Sequence, residues 1–193
     1  MIFRVVIGAV LGAAVLMGWG AAFWMLLPFG SQQMHVLPNV DTVIRELKDA
    51  NLESGFYMGP AMNDPKASAE DQKATKEKYK EGPVFYLTYR REGVDLDDTM
   101  VYKQGAAHFV LCTLIAGILL AAAAPTLRSY LGRVFFIFLL GVFGALAFDL
   151  SYGIWFYHPW GFPLLMAGFH TAGWFLAGIV MAAVIKAPAD QTA

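Results

Sequence analysis

Four long apolar stretches divide this chain, and most of its charged residues lie in one interval between the first stretch and the second. A helix needs about 20 consecutive apolar residues to cross the hydrocarbon of a bilayer. The pattern predicts a membrane all-α fold, a bundle of four transmembrane helices. The first helix lies within residues 1–27, and the other three lie within residues 105–186, at 105–124, 134–155 and 162–185. Residues 187–193 form a short tail.

The first stretch is predicted to stay in the membrane as an anchor. It has one basic residue, Arg4, ahead of an apolar run that is longer than the core of about 7–15 residues in a signal peptide. The run ends in "FWMLLPFG", which contains no small-x-small cleavage site. A retained helix is therefore a better interpretation than a cleaved signal peptide.

Residues 28–104 have the composition of a water-soluble domain, with 13 of the 15 acidic and 10 of the 14 basic residues. The stretch "PNVDTVIRELKDANLESG" predicts an amphipathic helix with Asp41 as its N-cap and Gly55 as its C-terminal stop. "GFYMGP" and "GPVFYLTYRREG" predict two short strands, and the polar stretch between them is helix-prone. We expect a small α+β cap between the first and second transmembrane helices.

Basic residues outside this interval predict the orientation of the chain. Arg4, Arg128, Arg133 and Lys186 fall on one side of a four-span protein, whereas the turn after the third span has no lysine or arginine. Lysine and arginine are enriched in short cytoplasmic loops. We therefore expect a multi-pass protein of the bacterial inner membrane, with both termini in the cytoplasm and residues 28–104 extracytoplasmic.

The overall composition agrees with a membrane protein and limits the possible chemistry. Charged residues make up 15% of the chain, compared with about 25% in soluble domains. The net charge of −1 does not favour a nucleic-acid-binding protein, which would carry a basic patch. The single cysteine, Cys112, lies in an apolar run, and we interpret it as a small hydrophobic residue.

Small residues recur at four-residue spacing in the first and fourth spans, a pattern typical of helices that approach closely in lipid. The rows consist of Gly8 and Gly12 in the first span, and of Gly168, Ala172, Gly173 and Ala177 in the fourth. We interpret these rows as seams between helices of this chain. Contacts with another subunit are the alternative.

A group of polar residues is predicted in the outer half of the membrane. Asp149 lies six residues from the outer end of the third span, about 9 Å deep at about 1.5 Å per residue. His170 lies eight residues into the fourth span, about 12 Å deep from the same side. The other members of this intramembrane polar cluster are His108 and Tyr152, and the outer turn adds His158 and Trp160.

Several interpretations of the cluster remain open. Asp149 and His170 can form a hydrogen-bonded or ionic pair between two helices, because burying either group alone is unfavourable. The same pair can handle a proton or an ion. His108 and His170 can ligate haem or a transition metal, although the histidines lack the spacing of HExxH or CxxCH motifs. Contact with a neighbouring subunit is a further interpretation.

Several short motifs resemble those of a loosely defined group of small, uncharacterised bacterial four-span inner-membrane proteins. They are "G..LGAAVLMGWG..FWMLLP" in the first span, "SGFYMGP" and "EGPVFYLTYR" in the loop, "GR" before the third span, and "W.....WGFP" leading to "GWFLAGIVMA" in the last. The resemblance implies the four-span layout. It implies no activity, because the group has no assigned function.

Together these observations predict a non-catalytic integral membrane protein, an accessory or assembly subunit that packs against a larger membrane complex. No GxSxG, P-loop or GxGxxG motif indicates catalysis, and no cofactor is predicted. The expected partners are the lipid bilayer and a larger complex or further copies of this chain. The first alternative is a small proton- or ion-coupled transport element that uses Asp149 and His170. The second is a haem- or metal-binding redox protein that uses His108 and His170.

Overall fold

The computed structural model describes residues 1–62 and 64–186, so the predicted tail at residues 187–193 lies outside the described residues. The elements are α1 (Ile2–Ala21), a π-helical segment (Ala22–Leu26), α2 (Phe29–Gln33), α3 (Val40–Asp49), β1 (Gly55–Gly59), α4 (Ala69–Glu81), β2 (Phe85–Tyr89), α5 (Met100–Ala123), α6 (Tyr130–Gly144), a second π-helical segment (Ala145–Asp149), α7 (Leu150–Trp155) and α8 (Gly161–Val184). The chain divides into two compact units. The small unit is Val36–Asp97, and the helical unit is Met1–His35 together with the chain from Asp98 onward.

Four helices of the helical unit are long and apolar enough to cross a membrane. They are span one (Ile2–Leu26), span two (Met100–Ala123), span three (Tyr130–Trp155) and span four (Gly161–Val184). Their most apolar windows have mean hydropathies of 2.1, 2.2, 2.3 and 1.6. The prediction of a mostly helical protein with four spans is therefore confirmed, and by length and composition these are the helices of a multi-pass membrane protein.

Spans two and three begin before their apolar cores. Span two starts at Met100 rather than at residue 105, and span three starts at Tyr130 rather than at residue 134. Ser129 caps span three, because its Oγ accepts a hydrogen bond from the N–H of Gly132 at 3.0 Å. These first turns contain polar residues, and hydropathy therefore does not detect them.

Span one holds the helical unit together. It packs along span two on one side and along span four on the other, and span four also packs along span three. Spans two and three contact each other only over a short stretch. The buried core of this arrangement is formed by Leu16, Ala116, Leu120, Ile137, Ala177, Met181 and Ile185. The helices thus follow the spatial order two, one, four, three, with a loosely closed side between two and three.

The small residues of span one lie where other spans approach it closely. A side chain at Gly8 would meet the end of span four, and one at Gly12 would meet Met181 and Thr113. The buried hydroxyl of Thr113 lies 2.8 Å from the carbonyl oxygen of Ala9 and can donate to it. The row therefore borders spans two and four of the same chain.

The small residues of span four behave less uniformly. Gly173 lies against Trp19 of span one, and Ala177 is completely buried. Ala172 is half-buried. A methyl group at Gly168 would meet no described atom within 4 Å. The seam therefore passes through Gly173 and Ala177, and Gly168, which we expected in it, points into open space because it lies on another side of the helix.

Two arginines donate hydrogen bonds to backbone carbonyls at one end of the bundle, which we call the basic end. Arg133 is 6% exposed, and it donates to the carbonyl of Ala182 at 3.2 Å and to two carbonyls of the turn before span three at 3.2 and 2.8 Å. Arg4 donates to the carbonyl of Lys186 at 3.2 Å. The last carbonyls of a helix have no partner within the helix, and positive charge near them is favourable. Both arginines therefore stabilise the end of span four.

The small unit contains both predicted strands and both predicted helices. β1 and β2 pair antiparallel, with Gly55 opposite Tyr89 and Gly59 opposite Phe85. The N-cap of α3 is Asn39 in a left-handed conformation, and Asp41, which we expected to cap the helix, lies in its first turn. A carboxylate there still interacts favourably with the helix dipole. Gly55 begins β1 and does not end α3, which finishes at Asp49.

Hydrogen bonds between side chains connect the residues just before β1 to the residues just after β2. The Ser54 hydroxyl donates to the carboxylate of Glu92 at 2.8 Å, and Arg91 pairs with Glu53 at 2.9 Å. The backbone N–H of Glu92 and then the Ser54 hydroxyl lower the pKa of the Glu92 carboxyl, because both donate to its charged form. These groups are exposed, so each bond contributes little to stability.

Span three offers a test of the packing between spans three and four. A methyl group at Gly141 would clash with the Cβ of Trp174, whereas one at Gly144 would meet no described atom within 4 Å. We expect Gly141→Ala to lower the free energy of unfolding in mixed micelles by about 1–3 kcal/mol, because overpacking displaces the helices. The matched variant Gly144→Ala should leave it unchanged. Equal effects of the two substitutions would contradict this packing.

Candidate functional site

Asp149 and His170 form a direct hydrogen bond between spans three and four. The Nδ1 atom of His170 lies 2.7 Å from Oδ2 of Asp149. An ionised carboxylate can only accept, so with Asp149 ionised the imidazole donates from Nδ1. The Asp149 side chain is 12% exposed and the His170 side chain 41% exposed. The pair is therefore formed within the chain but remains open on the histidine side.

The backbone of span three changes from an α-helix to a π-helix in the segment that contains Asp149. The π-helical segment Ala145–Asp149 separates α6 from α7, and the N–H of Leu150 donates to the carbonyl of Ala145. Such a segment inserts about one extra residue into a helix, and π-bulges are frequent at functional sites. The extra residue turns the helix relative to an uninterrupted α-helix. The site of Asp149 on span three therefore depends on this segment.

Aromatic side chains surround Phe169, the residue before His170. The indole N–H of Trp19 donates to the carbonyl of Phe169 at 2.9 Å. The ring of Phe169 lies 4.7 Å from that of Phe23 and 5.9 Å from that of Trp24, both in the π-helical segment of span one. Spans one and three each contain a π-helical segment. Span one contacts span four at Phe169, and span three contacts it at His170. The packing holds this part of span four firmly in place.

A cavity of about 470 Å³ lies beside the pair. Leu16 and Trp19 line it from span one, His108, Phe109 and Cys112 from span two, residues between Leu140 and Asp149 from span three, and Phe169, His170, Gly173 and Trp174 from span four. Its walls are mainly apolar and aromatic. The cavity lies between all four spans. We call its open side the one between spans two and three, because these spans barely meet and the lining residues His108, Phe143 and Phe148 are exposed there.

His108 lines the same cavity, on the opposite helix. Its Nε2 atom lies 3.5 Å from the Sγ of Cys112, one turn further along span two. Within the described part of the chain, no three His, Cys, Asp or Glu side chains lie close enough to share a metal ion. Haem or metal ligation by His108 and His170 stays a prediction.

Tyr152 and His158 of the predicted cluster lie toward the turn between spans three and four and line a second cavity. This cavity has a volume of about 270 Å³ and is lined by Asp149, Tyr152, His158, Phe162, Pro163 and Met166. Tyr152 and His158 stack with their ring centroids 5.2 Å apart. Trp160 lies against Gly153. Asp149 lines both cavities, which the sequence did not indicate.

Comparison with protein-family models, with curated proteins and with solved structures finds no match to this chain. The function is therefore argued from the site itself.

A single hydrogen bond between membrane helices contributes less than the largest cost of placing a charge in such a helix. Hydrogen bonds between membrane helices contribute about 0.6 kcal/mol on average and about 1.7 kcal/mol at most. A charged residue at the centre of a membrane helix is unfavourable by about 2.5–3.5 kcal/mol. At the centre of a span such a bond would offset only part of this cost. Asp149 lies six residues from the end of span three, where water or a partner can also contribute.

This comparison predicts the stability of a variant without the pair. We expect the double variant Asp149→Leu/His170→Leu to be at least as stable as the natural chain, because replacing a buried ion pair by apolar residues is often neutral or stabilising. Asp149→Leu alone should be less stable than the double variant, since it leaves His170 without its partner. Equilibrium unfolding in mixed micelles measures both. A loss of more than about 2 kcal/mol in the double variant would make the pair a structural pin.

Proposed function

We propose that this chain is a non-catalytic subunit of a larger membrane complex and that it joins the complex at the open side between spans two and three. We also propose that it resides in the bacterial inner membrane with both termini in the cytoplasm and residues 28–104 outside it. The basic residues Arg4, Arg128, Arg133 and Lys186 support this orientation, because positive charge is retained on the cytoplasmic side.

The Asp149–His170 pair is the main observation in support of this proposal. His170 keeps 41% of its side chain exposed beside a cavity that the four spans do not close. In lipid, ionisable side chains face a protein interior or water rather than acyl chains. A partner helix that lies across the open side would remove the pair from lipid.

The chemistry of this surface defines the partner. Exposed Phe143 and Phe148 form the span-three rim of the opening, and His108 and Cys112 form the span-two rim. A transmembrane helix with small residues can approach such bulky rims closely, and a Ser, Thr, Asn or Gln side chain on it can hydrogen-bond to His170. We therefore propose a helical membrane protein as the partner.

Site-specific photocrosslinking in native membranes tests this interface. A photoreactive side chain in place of Phe148 should give one discrete protein adduct, because Phe148 is 67% exposed and lines the cavity. Phe135 is 56% exposed on the same span but lines a different groove, so the same replacement there is the matched control and should crosslink mainly to lipid. Asp149→Asn should weaken the Phe148 adduct. No adduct at Phe148, or equal adducts at both positions, would exclude a partner at this side.

A second candidate is the small proton- or ion-coupled transport element, and one observation favours it. Asp149 lines both the large cavity and the smaller one near His158. Proton relays in membranes are built from Asp, Glu and His side chains. Such a role would also account for the unfavourable placement of Asp149.

Flux measurements in proteoliposomes separate this candidate from the subunit role. If the chain transports protons, the natural protein should dissipate a pH gradient, and Asp149→Asn should fold normally yet lose most of this flux, because an amide does not carry a proton at this position. Ser151→Ala, two residues away, should retain the flux as a matched control. A natural protein without flux above that of empty liposomes would exclude the transport role.

A further inference from the structure

We propose that the large cavity binds a flat, lipid-soluble ring compound with carbonyl or hydroxyl groups, of the chemical class of the quinones. The inference does not depend on the proposed partner, because it needs only the cavity of the isolated chain. Its volume of about 470 Å³ falls within the range of about 300–1,000 Å³ that is usual for small-molecule sites.

The walls of the cavity suit an aromatic or quinoid ring. The aromatic lining residues come from all four spans and include Trp19, Phe109, Phe148, Phe169 and Trp174. Planar rings stack on such side chains in offset or edge-to-face arrangements, which contribute about 0.5–1.5 kcal/mol beyond burial. A flexible acyl chain would gain only the burial. The aromatic lining therefore favours a ring over a lipid tail.

Few polar groups reach the cavity, and they are the ones that a carbonyl or hydroxyl group requires. Asp149 binds Nδ1 of His170, which leaves Nε2 of that imidazole free of any described protein partner. His108 presents a second imidazole from the opposite helix. A ring with oxygens on two sides offers one hydrogen-bond acceptor to each imidazole. Ligand sites of this kind combine an apolar lining with a few placed polar groups.

The lack of positively charged lining residues argues against ligands that carry phosphate groups. Among the described residues that line the cavity there is no lysine and no arginine. Phosphate groups are usually bound by these side chains or by helix N-termini, and a phospholipid headgroup or a nucleotide would find neither here. The open side between spans two and three leads to the region that the hydrocarbon occupies around a membrane-spanning bundle. The ligand therefore carries no phosphate or other anionic group, and it enters from the bilayer.

One of the glycines that line the cavity leaves open space at its wall. Gly141, Gly144 and Gly173 all line the cavity. Gly141 and Gly173 have a tryptophan directly against them, whereas a methyl group at Gly144 would meet no described atom within 4 Å. A large side chain at Gly144 can thus enter the cavity without displacing a helix. This position allows the cavity to be blocked without altering any of its polar groups.

A titration with a short-tailed quinone tests the inference. The purified full chain, in nanodiscs of phosphatidylcholine, is titrated with decylubiquinone while tryptophan fluorescence is recorded, because Trp19 and Trp174 line the cavity. We expect saturable quenching at one quinone per chain. Gly144→Leu should weaken binding at least tenfold. Gly168→Leu is the matched control, since Gly168 also has no described neighbour within 4 Å but does not line the cavity, and it should bind as the natural chain does.

Further variants keep the test decisive if Gly144→Leu does not fold. His170→Phe and His108→Leu should each weaken binding about three- to tenfold, because each removes one hydrogen bond to the ring. Quenching that rises linearly without saturation, or equally in the natural chain and in Gly144→Leu, would overturn the inference. So would equal binding of an alkane of the same length, which would indicate a cavity for acyl chains. Because no partner is present, this result is independent of the Phe148 crosslink.

Discussion

The hydrocarbon of a membrane offers no hydrogen-bond partner, and this constraint governs the polar side chains of the helical unit. Thr113 joins span two to span one, Trp19 joins span one to span four, and Arg133 joins span three to span four, each through a backbone carbonyl. The Asp149–His170 bond also joins spans three and four. Among the described hydrogen bonds of side chains, none joins the bodies of spans two and three. The polar bonds thus follow the same pairs of helices that pack closely.

This pattern explains why a cavity forms where it does. Small residues let spans one, two and four approach, and Trp174 lies directly on Gly141 of span three. Spans two and three are connected by a short turn near the basic end, but they share neither a small-residue seam nor a polar bond. Their far halves therefore remain apart, and the aromatic side chains of four helices line the space between them.

The open side of the bundle supports both the proposed partner interface and the proposed ligand site. The open side leaves His170 accessible, and an accessible ionisable group within a membrane needs a partner, water or a ligand. A partner helix would cover the opening from outside, whereas a ring compound would occupy the space within. Both can be present together, because the rim at Phe148 and the interior at Gly144 are different parts of the same cavity.

The number, type and approximate limits of the spans were determined by the sequence alone, because any helix that crosses hydrocarbon must be apolar for about 20 residues. Counting residues along the helices also predicted that Asp149 and His170 lie at similar levels of spans three and four, and their hydrogen bond agrees with this. The rotation of each helix did not, since hydropathy is nearly uniform around an apolar span. Only the tertiary structure therefore decided that Gly173 lies in a seam and Gly168 does not. It also introduced the π-helical segment that places Asp149 opposite His170, for which the sequence carries no recognised signal. The cavity was decided in the same way, because it depends on how the helices diverge from one another.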